Sequence, residues 1–157
     1  IERLEMAKQL ADIHTSPLLQ AAVYHFCERR LLERHQARAL REYARRRETL
    51  LDGLRRLMPP GVTWTQTAGG FSLLLTLPEG LETAALLPRA QARGVTFTPG
   101  DAFFIDGGGE RSLRLSFSAV PVSQIDDGMK RLGDAIRDLG RHPDHAVREP
   151  ELSVPLV

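Results

Sequence analysis

The chain has 157 residues, 42% of them hydrophobic and 26% charged, which is typical of one globular domain with its own core. Its formal net charge of +1 gives no reason to expect nucleic acid as a partner, and no apolar run is long enough to span a bilayer. With the single cysteine Cys27, the chain forms no internal disulfide, and a cytoplasmic location is expected. The charged start IERLEMAKQL is not a secretory signal. Since no initiator Met precedes it, we expect a longer gene product.

The N-terminal third is predicted to form two helices. The first covers residues 17–33, because Pro17 suits a first helical position and Ser16 before it is a suitable N-cap. Its residues expected to lie inside are Leu18, Ala22, Phe26 and Leu32. The second helix covers about residues 36–58 and ends at the sequence PPG. Its apolar residues recur at steps of three and four: Ala37, Leu40, Tyr43, Ala44, Leu50, Leu51, Leu54 and Leu57.

From residue 62 the period of the hydrophobic pattern changes to two, which indicates strands. The four predicted strands are 62–67, 71–77, 95–98 and 112–118. A helix over 83–93 separates the second strand from the third. Gly94 is its predicted C-terminal cap, and Pro88 is an unfavourable residue inside it because proline lacks the backbone N–H.

A last helix is predicted after the fourth strand. Ser123 is its expected N-cap, Asp126 stands in the capping-box position, and Gly140 is expected to end it. Its apolar stripe consists of Ile125, Met129, Leu132, Ile136 and Leu139. The tail, residues 141–157, shows no clear period and is either disordered or packed as an extended arm.

Two helices followed by β-β-α-β-β-α predict an α+β fold, with a small, mostly antiparallel sheet covered on one side by helices. We expect residues 1–35 to be a helical linking segment, residues 36–140 to form the domain proper, and residues 141–157 to be a tail. The sequence shows no internal repeat.

One arginine lies at the centre of the polar face of the fourth strand. In SLRLSFS, Leu113, Leu115 and Phe117 alternate with polar residues, and Arg114 is the central one of these. A guanidinium offers a planar fork of donors that matches a carboxylate, and a strand holds it more rigidly than a loop does. The plain alternative is a solvated arginine on an open sheet face.

Other features also have a structural interpretation beside a functional one. The pair Gly69-Gly70 allows close approach of a ligand, or it forms a hairpin turn. The segment His14-Thr15-Ser16 suits an anion at a helix N-terminus, or it is a simple cap. The single Cys27 is expected to be a small buried hydrophobe, and the histidines have no metal-ligand spacing.

A cluster of arginines in the second helix is predicted to be a solvated helix face rather than a nucleic-acid site, because acidic residues are interleaved with it. The arginines are Arg41, Arg45, Arg46, Arg47, Arg55 and Arg56. The acidic residues are Glu42, Glu48 and Asp52.

Several spaced motifs resemble one known family. In order they are ADIHTSPLLQ, GGFSLLLTLPEGL, GVTFTPGDAFF, GGGERSLRLSFS and QIDDGMKRLGDAI. This run resembles the C-terminal part of class I/II, fold-type I pyridoxal-phosphate aminotransferases, in the group acting on 2-aminoadipate, kynurenine and aromatic or branched amino acids. The resemblance covers about residues 1–139.

The resemblance implies roles for particular residues. Arg114 takes the place of the arginine that grips the substrate α-carboxylate, and Gly70 belongs to the glycine pair beside substrate and cofactor. Thr15 and Ser16 lie where the subunits of a family dimer approach the neighbouring cofactor phosphate. The implied partners are therefore an amino acid, a 2-oxo acid, an N-terminal cofactor domain and a second subunit.

The family's Schiff-base lysine has no counterpart in this chain. That lysine belongs to a Ser-x-x-Lys setting, and the two lysines present, Lys8 and Lys130, do not match it. The resemblance therefore implies a C-terminal domain of a longer enzyme, which alone is inactive and does not bind pyridoxal phosphate covalently.

Two other functions stay open at this point. One is the aminotransferase-like effector domain of a MocR/GntR-type transcriptional regulator, which shares the fold and often the cofactor. The other is a dimerisation domain without a ligand. The context of Arg114 in LRLSFS and the preceding GGGE favour the enzyme.

Overall fold

The computed structural model describes residues 1–11, 14–105 and 107–142. The helices are α1 (Glu2–Ala11), α2 (Pro17–Glu28), α3 (Leu31–Leu57), α4 (Thr83–Gln91) and α5 (Val122–Arg141). The strands are β1 (Thr63–Trp64), β2 (Ser72–Thr76), β3 (Thr98–Pro99) and β4 (Ser112–Ser116), and a 3₁₀ turn covers Gly100–Phe103. The predicted tail lies, from residue 143 onward, outside the described residues.

The chain divides into two compact units, residues 1–42 and a second one that begins at Tyr43. Helix α3 contributes its first part to the first unit and its last part to the second. The predicted boundary at residue 35, between a linking segment and a domain, stays a prediction.

In the first unit, the break between the two predicted helices lies about five residues earlier than expected. The expected helix over 17–33 ends at Glu28, because Arg30 has a left-handed backbone (φ 54°) and its N–H donates to the carbonyl of Cys27. Helix α3 then starts at Leu31, five residues before its predicted start. Ser16 occupies the N-cap position of α2, but its side chain makes no capping hydrogen bond.

The apolar side chains of α2 are exposed, which corrects the expectation that they lie inside. None of the residues of α2 is buried. Leu18 is 78% exposed and Phe26 40%, and Leu32 in α3 is 37% exposed. Ala22 and Cys27 are exposed as well. These residues match an amphipathic pattern, but no layer of the first unit buries them.

The second unit contains an antiparallel sheet in the order β1-β2-β4-β3. Leu74 in β2 and Thr98 in β3 are the neighbours of Arg114 in β4, so Arg114 lies on an interior strand. This sheet, with the helices, confirms the predicted α+β class.

Both edge strands are shorter than predicted. β1 has two residues instead of six, and β3 covers only Thr98–Pro99. Pro99 has no N–H to donate, which suits an edge position. Residues 94–96 and 115–117 line a cavity of about 540 Å³ together with part of α5. Residues 95–97, predicted as strand, lie outside the ladder.

The core lies on one face of this sheet. Leu73, Leu75, Leu113 and Leu115 point to that face and are buried. Helices α4, α5 and the last part of α3 supply most of the remaining core side chains, and residues flanking the strands add Val62, Leu77, Phe97 and Phe117. The predicted apolar stripe of α5 is confirmed, because all five of its residues are buried. In α3, Leu50 and Leu54 are buried, whereas Leu40 is exposed.

Two glycines allow α3 and α5 to pack closely. A Cβ on Gly133 of α5 would lie 2.5 Å from the carbonyl oxygen of Leu57, and a Cβ on Gly53 of α3 would lie 3.0 Å from Cγ of Met129. Arg137 of α5 also donates to the carbonyl of Leu57, at 2.5 Å. The end of α3 is therefore fixed on α5 by backbone proximity as well as by apolar burial.

The ends of the last two helices differ in part from the prediction. α5 begins at Val122 with Pro121 as N-cap, so Ser123 lies inside the first turn and does not cap it. It also continues through Gly140 to Arg141, since the N–H of His142 still donates to the carbonyl of Asp138. After α4, Gly94 has the left-handed conformation predicted for a helix end, with φ 74°.

Candidate functional site on the open face of the sheet

The second face of the sheet carries mainly polar side chains. Because strand residues alternate between faces, the register brings the following residues to it: Ser72, Leu74, Thr76, Thr98, Ser112, Arg114 and Ser116. Arg114 and Ser116 are exposed, so solvent reaches the middle of this face. This is the face opposite the core, and we call it the open face.

The guanidinium of Arg114 lies against an aromatic ring. Its Cζ is 4.8 Å from the centroid of Phe103, which follows β3 in the 3₁₀ turn. One of its terminal nitrogens donates weakly to Oγ1 of Thr98, at 3.4 Å. Among the residues that the structure describes, no carboxylate pairs with Arg114. The side chain is thus oriented by its neighbours, and within the described part of the chain its charge has no carboxylate partner.

The loop between β1 and β2 contains the predicted glycine pair. We call residues 65–71 the glycine loop. Gly70 has φ +86°, and a Cβ there would have no heavy atom within 4 Å, so glycine is favoured by backbone conformation and not by crowding. The carbonyl of Phe71 accepts hydrogen bonds from the N–H of Phe117 (3.0 Å) and from Oγ of Ser116 (3.3 Å).

This geometry places Gly70 beside the end of β4, near one end of the open face. Ser116, which anchors the glycine loop, is the next residue after Arg114 on that face. The structure therefore places Gly70 in the connection between β1 and β2, beside the end of the strand that carries Arg114.

Two arginines of α3 contribute to this end of the sheet, which the sequence analysis missed. One terminal nitrogen of Arg47 donates to the carbonyls of Ala68 (2.5 Å) and Thr67 (3.4 Å). Arg46 donates to the carbonyl of Ser118. The prediction of a solvated helix face is wrong for these two residues, because they bind loop backbone. It holds for Arg55, which is exposed and pairs with Asp52 at 2.6 Å.

The segment before α2 belongs to the first unit. Nζ of Lys8 donates to Oγ1 of Thr15 at 3.4 Å, and Nε2 of Gln20 donates to the Thr15 carbonyl at 3.2 Å. Nδ1 of His14 lies 3.3 Å from that same carbonyl. The hydroxyl of Ser16 makes no capping hydrogen bond. Hydroxyl and ammonium donors are therefore gathered near the N-terminus of α2, and such a donor set suits a phosphate.

The described residues give no sign of a metal site or of a membrane-spanning helix. Over residues 1–11, 14–105 and 107–142, three or more histidine, cysteine or acidic side chains nowhere group in a way that could hold a metal ion. None of the helices in that part of the chain is both long and apolar enough to cross a membrane.

Comparison with known proteins identifies the family. No family model matches the chain. It is 38% identical over 138 residues to aromatic-amino-acid aminotransferase 1 of Thermococcus litoralis, covering 88% of this chain and 33% of that relative. Its fold matches the alpha-aminoadipate aminotransferase of Thermus thermophilus with a TM-score of 0.80 and 37% identity, over 89% of this chain and 36% of that one. The chain belongs to the pyridoxal-phosphate-dependent aminotransferase family.

As an aminotransferase sequence, the chain spans about a third of the length of these relatives and matches their C-terminal domain. The resemblance inferred from the motifs is thereby confirmed. The activity, substrates and partners of a whole aminotransferase are proposals for a chain that covers only this third.

Transcriptional regulators are also among the relatives of this chain. The chain is 29% identical over 139 residues to YisV of Bacillus subtilis, named as an uncharacterized HTH-type transcriptional regulator, covering 88% of this chain and 28% of the regulator. Both classes therefore have relatives that align with most of this chain.

Proposed function

We propose that this chain is the C-terminal domain of a pyridoxal-phosphate-dependent transaminase, which moves an amino group from an α-amino acid to a 2-oxo acid. In this proposal Arg114 binds the α-carboxylate of the substrate. The observation that carries the proposal is the exposed guanidinium on an interior strand, held against Phe103 and without a described carboxylate partner.

The setting of Arg114 supports carboxylate binding. A guanidinium and a carboxylate form two parallel, charge-assisted hydrogen bonds. The ring of Phe103 and the interior strand restrict the side chain before any ligand arrives, which lowers the entropy lost on binding. Every α-amino acid and every 2-oxo acid has such a carboxylate, so one arginine serves both substrates.

Gly70 is proposed as a further substrate-binding residue through its backbone. Gly70 is exposed, and no heavy atom lies within 4 Å of the position a Cβ would take, so a ligand can approach its backbone closely. The anchoring of Phe71 on Ser116 fixes the end of the glycine loop beside the strand that carries Arg114.

Thr15 and Ser16 are proposed to bind the phosphate of pyridoxal phosphate across a homodimer. The donors gathered around Thr15 fit that phosphate, and the hydroxyl of Ser16 makes no capping bond. When bound, pyridoxal phosphate supplies the electron sink for loss of the substrate α-proton. We propose that the lysine that attaches it comes from a cofactor domain outside this chain, because Lys8 and Lys130 match no such setting.

An effector domain of a transcriptional regulator is the second, weaker candidate, and it is supported by the alignment with YisV at 29% identity. In that case Arg114 would read the carboxylate of an amino acid effector and no turnover would follow. The arrangement around Arg114 is compatible with both functions, so a measurement of turnover is needed to distinguish them.

A chimera tests the proposed function. This chain replaces the matching segment of the Thermus thermophilus alpha-aminoadipate aminotransferase, and transamination of several amino acids is measured. We expect turnover by the chimera and none by the 157-residue chain alone. In the chimera, Arg114→Lys keeps the charge but loses the fork and should lower kcat/KM by about a hundredfold.

The matched control is Arg55→Lys, because Arg55 is exposed and pairs only with a residue of its own helix among its described contacts. It should leave kcat/KM unchanged. A folded chimera that binds pyridoxal phosphate but turns over no amino acid would contradict a transaminase domain. Equal kcat/KM for the parent chimera and its Arg114→Lys variant would contradict the role of the arginine.

A further inference from the structure

One turn of α3 contacts both the glycine loop and the segment just after β4, which meet at the same end of the sheet. We name Tyr43, Arg46 and Arg47 the α3 clamp. We propose that the three residues of the α3 clamp are positioning residues that hold the glycine loop in place for the substrate. Arg47 makes the largest contribution. This inference rests on the proposed function and adds residues to which neither the motifs nor the relatives' names assign a role.

Arg47 fixes the backbone directly before the glycine pair. It donates to two successive carbonyls, those of Thr67 and Ala68. Arg47 is half-buried and its Nε is buried, so the side chain lies against the loop instead of extending fully into solvent. Gly69 and Gly70 have no neighbours that would restrict a side chain, and glycine has the largest backbone freedom of any residue. Arg47 therefore supplies hydrogen bonds that order the segment leading into this pair.

Arg46 contacts the segment after β4, and Tyr43 contacts the end of the glycine loop. Arg46 donates to the carbonyl of Ser118, just after β4. The ring of Tyr43 meets the ring of Phe71 edge to face, with centroids 4.8 Å apart. Ser118 in turn lies within hydrogen-bond distance of Ser116, their hydroxyl oxygens 3.2 Å apart. The contacts thus lead from α3 to the residue that neighbours Arg114 on the open face.

The α3 clamp is separate from the residues that stabilise the core. The buried residues of α3 are Leu50, Gly53 and Leu54, all C-terminal to the clamp. Arg47 binds loop backbone and contributes no core side chain. Its loss should therefore disorder the glycine loop and weaken substrate binding, while the core stays folded. A loop that is already ordered in the free protein loses less conformational entropy when the substrate binds, which improves the affinity.

The first test measures backbone order in the 157-residue chain. NMR order parameters of Gly69 and Gly70 are compared in the parent, Arg47→Met, Arg47→Lys and the control Arg55→Met. We expect values near 0.85 for the parent and the control, below about 0.6 for Arg47→Met, and in between for Arg47→Lys. Order in α5 should be unchanged in all four proteins.

Two results would overturn the α3 clamp. One is equal order of Gly69 and Gly70 in all four proteins. The other is loss of the fold in both Arg47 variants, which would make Arg47 a residue of general stability. The order parameters require no catalytic activity, so they test the α3 clamp even if the transaminase proposal fails.

The second test separates positioning from simple stability in the active chimera. Arg47→Met should raise KM for the amino acid about tenfold, as expected for a lost charged hydrogen bond, with kcat changed less than about threefold. Arg47→Lys should restore part of the affinity. A lower kcat at unchanged KM would indicate less folded enzyme and would contradict positioning. An inactive parent chimera counts against the proposed function, and the order parameters alone then decide on the α3 clamp.

Discussion

The two faces of β4, in the second unit, differ in burial and in polarity. On the covered face of β4, Leu113 and Leu115 pack against helices and are buried. On the open face, Arg114 is exposed between Leu74 and Thr98, with an aromatic ring beside it. The covered face is explained by the removal of apolar surface from water. The open face is not, because an exposed guanidinium contributes little to stability.

Residues that stabilise the fold and residues proposed to bind a ligand thus lie on opposite faces of the same strand. Residues of the covered face should affect folding and have little effect on ligand binding at constant fold. Residues of the open face should affect ligand binding and leave the free energy of unfolding nearly unchanged. Substitutions on each face test that division, and the largest effect is expected in the core.

Leu113→Ala should lower the free energy of unfolding by about 2–5 kcal/mol, because Leu113 is fully buried and its truncation leaves a cavity. Its sequence neighbour provides the control: Arg114→Ala should change the same quantity by less than about 0.5 kcal/mol. Urea denaturation followed by circular dichroism measures both. Similar losses for the two variants would show that the open face also carries the fold.

Gly133→Ala tests how closely the covered face is packed. The added Cβ would lie 2.5 Å from the carbonyl of Leu57, so α3 and α5 must separate, at a cost of about 1–3 kcal/mol. In the same helix, a Cβ on Gly128 meets nothing within 4 Å. Gly128→Ala should therefore stabilise the chain by roughly 0.5–1 kcal/mol through helix propensity. Thermal denaturation of the two variants should shift in opposite directions; a shift in the same direction would contradict the close contact.

Phe103→Ala is expected to have the smallest effect, and only on ligand binding. It removes the ring beside Arg114, and a partly exposed cation–π contact amounts to about 0.5–1 kcal/mol. The KM of the chimera for its amino acid should rise about threefold, whereas Phe103→Tyr, which keeps a ring, should leave it unchanged. An unchanged KM in both variants would mean that the ring does not orient the guanidinium.

The sequence was most informative where a periodic pattern is long or a strand is interior. The stripe of α5 was predicted residue by residue, because burial on one helix face imposes a 3.6-residue period. β4 and the central position of Arg114 followed from strict alternation in SLRLSFS. These features depend on local pattern alone.

Features that depend on distant contacts were missed. The roles of Arg46 and Arg47 cannot be distinguished by spacing from those of Arg45 or Arg55, since the carbonyls they bind are 20 or more residues away. The break between α2 and α3 was predicted about five residues too late, because it depends on a non-glycine residue, Arg30, in a left-handed conformation. Such a conformation is uncommon and gives no sequence signal.

The proposed binding of a carboxylate by Arg114 is tested most directly by one titration. The Nε–Hε resonance of Arg114 in the 157-residue chain is followed by NMR while L-leucine or L-leucinamide, which lacks the carboxylate, is added. We predict a saturating shift with L-leucine that is much smaller with L-leucinamide, and no corresponding change in the resonances of other arginines such as Arg55. Equal shifts with both compounds, or none with either, would contradict the account.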